Sequence, residues 1–392
     1  MPALELTQLR LDGRRALVRC DFNVPLRDGQ IADPTRIDAS LDTLRYILDH
    51  RAIAVLCSHL GRPKERSPQL SLKPVAEYLS AALGIKVGLA PDCIGEVTLR
   101  MIEALKPPGA LLLENLRFHP EEEANDRDFA HELARGKDVY INDAFGSAHR
   151  AHASTVGVTR YLAERAAGFL MMRELKALSA LAHDPARPYV AILGGAKVSD
   201  KIGVIRSLMT RADAILVGGA MAYTFLRARG VEVGRSRVEE DKLEMAQELM
   251  AEAARRGLRL LLPVDHVVAA SLEAGTAETV QTIAPDRMGL DIGPRTAEDF
   301  VAKLDGAKTV VWNGPLGYFE SPAFARGTLR VGEALANLTG VFSVIAGGDT
   351  AAALADQPWS GRFSHISTGG GATLEYLEGI ELPGVKALEG SR

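Results

Sequence analysis

Short apolar runs alternating with longer stretches of helical period constrain this chain more than any other feature. Ala16 to Cys20, Ile53 to Cys57, Ala110 to Leu113, Tyr189 to Leu193, Ala214 to Val217, Thr309 to Trp312 and Phe342 to Ala346 are such runs, and each ends in a polar or glycine-rich turn. Between them lie stretches such as Leu72 to Leu83 and Asp241 to Ala254 with helical spacing of apolar residues. Continuous apolarity over a few residues suits a strand covered on both faces, and its alternation with helices is the βαβ pattern of largely parallel sheets. Ligands of such sheets bind beyond the carboxyl ends of the strands, so the turns there carry the functional information. At 392 residues, with about 150 residues per domain as a guide, two large domains are expected.

The post-strand turns differ between the two halves. Residues 1 to 170 contain no Gly-Gly pair, and their turns carry Arg, His, Asp and Asn. The second half has Gly194-Gly195, Gly218-Gly219, Gly347-Gly348 and Gly369-Gly370-Gly371, each directly after a strand-like run. Side-chain cations suit a small rigid anion, whereas glycine turns let backbone NH groups and helix amino termini approach a polyphosphate. One half is therefore expected to hold a small acid and the other a nucleotide. Phe169, Met172, Leu175, Leu178 and Leu181 step at three residues between the halves and mark one helix that stops before His183-Asp184-Pro185. It reads either as an interdomain connector suited to hinge closure or as a long core helix.

Composition excludes several classes. A net charge of −4 and a pI near 6.2 provide no global basic field for nucleic acid or an anionic membrane. No stretch approaches 18 uninterrupted apolar residues, and Glu5, Arg10 and Asp12 stand where a signal peptide needs an apolar core. Cys20, Cys57 and Cys93 lack metal-ligand spacing and suit a reduced, cytoplasmic compartment. No His/Cys zinc spacing, G-x-S-x-G elbow, P-loop or post-strand GxGxxG is present.

Four loops of the first half could carry chemistry: residues 19–25, 58–63, 114–118 and 142–152. If their strands neighbour one another, Arg62, Arg117 and Arg150 converge at one sheet edge, where guanidinium forks hold phosphate or carboxylate bidentately. Asp21 and Asn23 could bind a substrate hydroxyl. Each arginine could instead pair with Asp143, Glu114 or a helix end. His149 and His152 flank Arg150 and either orient a phosphate or are structural. In the second half, Lys197 and Lys201 are spaced one helical turn apart, expected on one face, and either embrace an anion or are solvated. Trp312-Asn313-Gly314-Pro315 offers a turn for an adenine, with Glu320 in reach of a ribose. In Gly347-Gly348-Asp349-Thr350, the Asp349 carboxylate beside backbone donors suits Mg²⁺ carried by a nucleotide, or else Asp349 and Thr350 cap a helix.

The segments RCDFNVP, SHLGRP, LLENLRF, NDAFGSAHRAHAST, GGAKVSDKI, WNGPLGYFE, GGDT and STGGGATLE, spread from residue 19 to 375, resemble in order and content the signature blocks of the phosphoglycerate kinase family. The resemblance implies two doubly wound, Rossmann-like α/β domains joined by a helix across a deep cleft. It implies a 3-phosphoglycerate/1,3-bisphosphoglycerate domain over residues 1–168, a connecting helix over 169–184, an ADP/ATP domain over 185–378, and a tail over 379–392 that returns to the first domain. Carried over by position, it implies that Asp21, Asn23, Arg36, His59, Leu60, Gly61, Arg62, Arg117 and Arg150 bind the acid. It likewise implies nucleotide contacts from Lys201, Gly219, Gly289, Asn313, Glu320, Gly347, Gly348, Asp349 and Thr350, with Asp349 toward Mg²⁺. Arg36 and Lys197 would serve the moving phosphoryl group, and helix amides at Gly371 would complete its cradle. A cytoplasmic monomer without nucleic-acid or membrane partners is expected. Cys20, Leu316, Tyr318 and Ala346 depart from the family pattern, and none removes a charged or hydrogen-bonding group. A nucleotide-binding paralogue without turnover is the rival reading, and retention of Arg36, Lys197, Lys201 and Asp349 stands against it.

Overall fold

The computed structural model describes residues 4–274 and 276–390. The chain divides into two compact units: one runs through Lys176 and regains the chain from Glu381 onward, and the other spans Ala177–Ile380.

The first unit contains β1 (Arg15–Arg19), the hairpin β2 (Leu26–Arg27) and β3 (Gln30–Ile31), β4 (Ile53–Cys57), β5 (Val87–Leu89), β6 (Gly109–Leu112), β7 (Val139–Asn142) and β8 (Arg165–Ala167). Its main sheet is six-stranded and parallel, in the order β5-β6-β4-β1-β7-β8. Alternate residues Val18, Leu56, Leu112 and Ile141 pack with Leu44 and Ile47 of the helix Leu41–Asp49 and with Val75 and Leu79 of the helix Lys73–Leu83. Their neighbours Leu17, Val55, Leu111 and Tyr140 are buried too. Both faces of the sheet are thus covered, which explains the apolar runs. Pro74 opens the Lys73–Leu83 helix, and Gly84 ends it at φ +66°.

Strand order reverses beside β1, which has β4 on one side and β7 on the other, so the loops leaving β1 and β7 part at that point. At the end of β7 the Asp143 carboxylate accepts from Leu170 N (2.9 Å) and Met171 N (3.2 Å), capping the helix Phe169–Ala182. The segment Pro383–Lys386 docks on the same unit through Gly384 N to Ala148 O (2.8 Å).

The second unit contains β9 (Tyr189–Leu193), β10 (Ala214–Val217), β11 (Arg259–Leu261), β12 (His266–Ala269), β13 (Glu278–Val280), β14 (Met288–Ile292), β15 (Thr309–Asn313), β16 (Phe342–Ala346) and β17 (His365–Ile366). Its parallel sheet runs β11-β10-β9-β15-β16-β17 and reverses between β9 and β15. Val190, Ile192, Val310, Trp312 and Ile345 pack against Phe300, Leu304, Val331 and Leu335. The expected doubly wound α/β architecture is therefore present in both units. The antiparallel sheet β13-β12-β14 was not expected, because its strands mix charged with apolar residues and β12 is irregular at Val267/Val268.

Burial pushes the Asp143 carboxyl up to about 7, against the hydrogen bonds that favour its ionised form. The unfolded carboxyl ionises near 3.9, so between there and about 7 the folded protein keeps a proton that the unfolded chain has lost. Stability consequently falls as pH rises through that window and levels off above it. Asp143→Asn retains the capping oxygen without the proton, so in urea titrations its stability relative to the parent protein should rise with pH, by at most about 1.4 kcal/mol per pH unit. A constant difference across the window would contradict this.

Candidate active site

The carboxyl edge of the first sheet is built around a buried guanidinium. Arg19 ends β1 at 1% exposure, donating Nε to Ser154 Oγ (2.8 Å) and a terminal nitrogen to His59 Nδ1 (3.2 Å). Ser154 in turn hydrogen-bonds Glu122, whose carboxyl is raised by burial against the pull of Arg19. Arginine only donates, so His59 Nδ1 accepts and Nε2 carries the ring proton. Burial and then Arg19 hold His59 well below its usual range, which leaves a neutral imidazole with one N–H to offer.

A cavity of about 470 Å³ is lined by Arg62, Lys64, Arg117, His119, Arg150 and His152, among others. The structure therefore brings the three arginines together as expected from the sequence. Arg117 donates to Gly61 O (2.7 Å), and its Nε lies 2.9 Å from a Glu123 carboxylate oxygen without a hydrogen bond from that nitrogen. Burial and then Arg19 lower His152 to about 4, so it too is neutral at neutral pH. Arg62 is exposed and has no hydrogen bond or ion pair among the described residues.

Asp21, Asn23, Arg36, His59, Leu60 and Gly61 are not among the residues lining that cavity and connect to it through Gly61, whose carbonyl accepts from Arg117. Arg36 reaches Asp21 Oδ2 (3.3 Å) and Asn23 O (3.2 Å), while Asn23 Oδ1 accepts from Gly61 N (2.8 Å). Leu60 is fixed in both directions by Asn115, whose Oδ1 accepts from Leu60 N and whose Nδ2 donates to Leu60 O. Arg19, Glu122, Lys64 and His119 escaped sequence reasoning. Only Arg19 carried a signal, a cation closing an otherwise apolar run.

In the second unit two adjoining cavities, of about 350 and 320 Å³, share Gly195, Ala196, Pro315 and Asp349. The apolar one has Gly219, Gly289, Leu290, Tyr318 and Glu320 in its walls, with Arg235 and Arg237, which the sequence reading did not single out. The other has Lys197, Lys201, Asn313, Gly347, Gly348 and Gly370. Gly371 follows Gly370 as the first residue of the helix Gly371–Glu378.

The two lysines do not share a helical face. The Gly194-Gly195 turn continues to Val198 without helix, the 3₁₀ turn Ser199–Lys201 follows, and Lys201 sits at the start of the helix Ile202–Leu208. Val198 is buried and pins the turn, so Lys197 stays exposed while Lys201 turns inward. Lys201 Nζ donates to Asn313 O (2.9 Å) and to Asn313 Oδ1. Burial lowers Lys201 to about 8, opposed by Asp349 and Asp200. Asn313 thus holds the lysine, and Thr350 is a brace, since its hydroxyl accepts from Gly314 N (2.7 Å) and donates to Ala346 O (2.9 Å). Asp349 lies exposed in the first turn of the helix Gly348–Ala355. The exposed Asp349 carboxylate, in a cavity also lined by Asp200, Lys197 and Lys201, suits Mg²⁺ arriving on a nucleotide, an ion that keeps waters and takes few protein ligands.

Residues 6–380 match the family model described as phosphoglycerate kinase. The chain is 54% identical over 390 residues to a phosphoglycerate kinase of Thermus thermophilus, covering 98% of this chain and 100% of that one. It is 52% identical over 400 residues to one of Koribacter versatilis, covering 99% of each. The solved structure of phosphoglycerate kinase from Coxiella burnetii superposes with a TM-score of 0.90 at 39% identity over 99% of both chains.

Lys201 loses its charge as pH rises through about 8, and a bound polyphosphate holds the proton on. Calorimetric titration with ADP should give a Kd that is flat below that pH and rises above it, by at most about tenfold per pH unit. Lys201→Gln should bind more weakly and lose this slope; an unchanged slope in the variant would remove Lys201 from the site.

Proposed function

This chain belongs to the phosphoglycerate kinase family, and on that premise we propose that the arginine-lined cavity takes 3-phosphoglycerate or 1,3-bisphosphoglycerate and the glycine-lined pair of cavities takes ADP or ATP. The chain is a phosphotransferase, and its reaction moves a phosphoryl group reversibly between the acyl phosphate and the nucleotide diphosphate. The observation that supports this division most is the gathering of Arg62, Arg117 and Arg150 about one cavity with few carboxylates to neutralise them.

In the ATP-forming direction an oxygen of the ADP β-phosphate forms a bond to the phosphorus of the acyl phosphate, and the phosphorus–oxygen bond to the acyl group breaks, releasing a carboxylate. In reverse that carboxylate attacks. It is already ionised at neutral pH, so no general base is needed, in keeping with the neutral imidazoles of His59 and His152. The transition state spreads negative charge over three equatorial oxygens, so catalysis rests on positioning and charge. Arg36 and Lys197 contact the moving group, Lys201 neutralises the nucleotide phosphates, and the amides at Gly371 complete the cradle. Asp349 would meet Mg²⁺ carried on the nucleotide, which would supply further charge neutralisation. Direct transfer requires the acid on one unit to meet the nucleotide on the other, which the hinge reading supplies. The three free, buried thiols suit a reducing, cytoplasmic compartment, and among the described residues no helix is long and apolar enough to cross a membrane.

Arg36→Ala should lower kcat about 10³-fold, the scale seen when phosphoryl-transfer cations are lost, in a steady-state assay coupling ATP formation from ADP and 1,3-bisphosphoglycerate. Turnover close to that of the parent protein would remove Arg36 from the mechanism. Saturation with both substrates should also shrink the radius of gyration in solution scattering; an unchanged curve would count against closure.

A further inference from the structure

Beside the acid cavity, and sharing only His119 with its lining, three different metal-ligating side chains meet. A carboxylate oxygen of Asp92, Sγ of Cys93 and a ring nitrogen of His119 all lie within 4.8 Å of one another. They come from the loops that follow β5 and β6, neighbouring strands of the first sheet, so topology delivers them to one point on its carboxyl edge. Asp92 Oδ1 lies 2.7 Å from His119 Nε2 and accepts from Cys93 N (2.6 Å), and Asp92 Oδ2 accepts from Arg66 (3.1 Å). Thr98 Oγ1 donates to Asp92 O (3.0 Å), and His119 packs on Phe129 with ring centroids 5.2 Å apart. These contacts fix two of the three ligands from behind. The Cys93 thiol is fully buried, while Asp92 and His119 are partly exposed and open the point to solvent.

We infer that Asp92, Cys93 and His119 form a site for one borderline-soft divalent cation of the Zn²⁺ class, with a fourth position left to water. One sulfur, one nitrogen and one oxygen donor is a set that Zn²⁺ and Co²⁺ accept and that Mg²⁺, which demands oxygen, does not. Metal–ligand bonds of about 2.0–2.3 Å put tetrahedral ligands about 3.3–3.8 Å apart, so a pair at the 4.8 Å limit needs to close by at most about 1.5 Å, while Asp92 Oδ1 and His119 Nε2, now 2.7 Å apart, need to part by about 0.6 Å. On binding, the thiol proton leaves to solvent and the sulfur ligates as thiolate. His119 moves its ring proton from Nε2 to Nδ1, which frees Nε2. Arg66, the cation now resting on Asp92, is more than half exposed and swings aside. The ion then clips residues 91–93 to the turn after Leu116–Phe118, at the rim of the cavity that His119 also lines.

The test uses the full chain, freed of metal and titrated with Co²⁺. One equivalent should produce a thiolate-to-cobalt charge-transfer band that Cys93→Ser abolishes although Cys20 and Cys57 remain. His119→Gln, which keeps a donor toward Asp92, should weaken Co²⁺ binding at least about tenfold. One equivalent of Zn²⁺ should raise the Tm of the parent protein and not that of Cys93→Ser, and millimolar Mg²⁺ should not displace it. Absence of the band, or a band that survives Cys93→Ser, would overturn the site. Should Cys93→Ser fail to fold, the partly exposed Asp92→Asn and His119→Gln decide, and full-strength binding in both would refute it. None of these readouts depends on turnover or on the assignment of the acid cavity.

Discussion

Crowded guanidinium groups at the edge of a parallel sheet govern this protein. Arg117 is held below its ordinary range by burial, and the charges of Arg150, Arg19 and Arg62 push it further down against the opposing pull of Glu123. Like charges brought together in a partly desolvated place raise the free energy of the empty site, and a dianionic ligand relieves that more than any neutral one. The surrounding structure serves this arrangement. Arg19 is enclosed by Ser154 and His59, which locks His59 as a neutral donor, and Glu122 beneath supplies counter-charge without entering the cavity. Carboxylates in the cavity itself would compete with the ligand, and Glu123, partly exposed, is the one that touches Arg117.

The second unit solves a different problem with backbone. A Cβ on Gly194 would lie 2.1 Å from Pro315 O, and one on Gly314 would lie 2.3 Å from Gly194 O, so the turns after β9 and β15 touch main chain to main chain. That approach, at the point where strand order reverses, leaves no room for side chains and ties the turns together, Gly194 N donating to Asn313 O (3.0 Å) and Gly195 N to Pro315 O (2.9 Å). Lys201 supplies the single buried cation, steadied by Asn313 and offset by Asp349. Under the proposed function, one unit would recognise its ligand with guanidinium forks, suited to a small acid, and the other with one buried lysine and helix amino termini, suited to a chain of phosphates.

Much of this was legible in the sequence, because burial on both faces writes itself as unbroken apolar runs and the functional loops follow directly. Arg62, Arg117 and Arg150 could be expected to meet once their strands were taken as neighbours. What stayed hidden depends on distance in the fold rather than on spacing along the chain. Lys197 and Lys201 look like one helical face, yet buried Val198 forces a turn that separates them. Thr350 lines the cavity as its motif suggests, and its hydroxyl in addition joins Gly314 N to Ala346 O, a bracing role that spacing does not reveal. Asp143, which the sequence offers as a partner for a loop arginine, is instead buried and braces the amides of Leu170 and Met171. The strands β12 to β14 are too mixed in polarity to announce themselves.

The division of labour between forks and amides is tested most directly by backbone amide chemical shifts of the labelled protein, recorded with each ligand alone. 3-Phosphoglycerate should move the signals of Gly61, Arg117 and Arg150 and leave those of Gly195, Gly289 and Gly348 in place, while ADP with Mg²⁺ should do the reverse. Shifts from the acid centred on the glycine turns, with the arginine loops unmoved, would contradict the account.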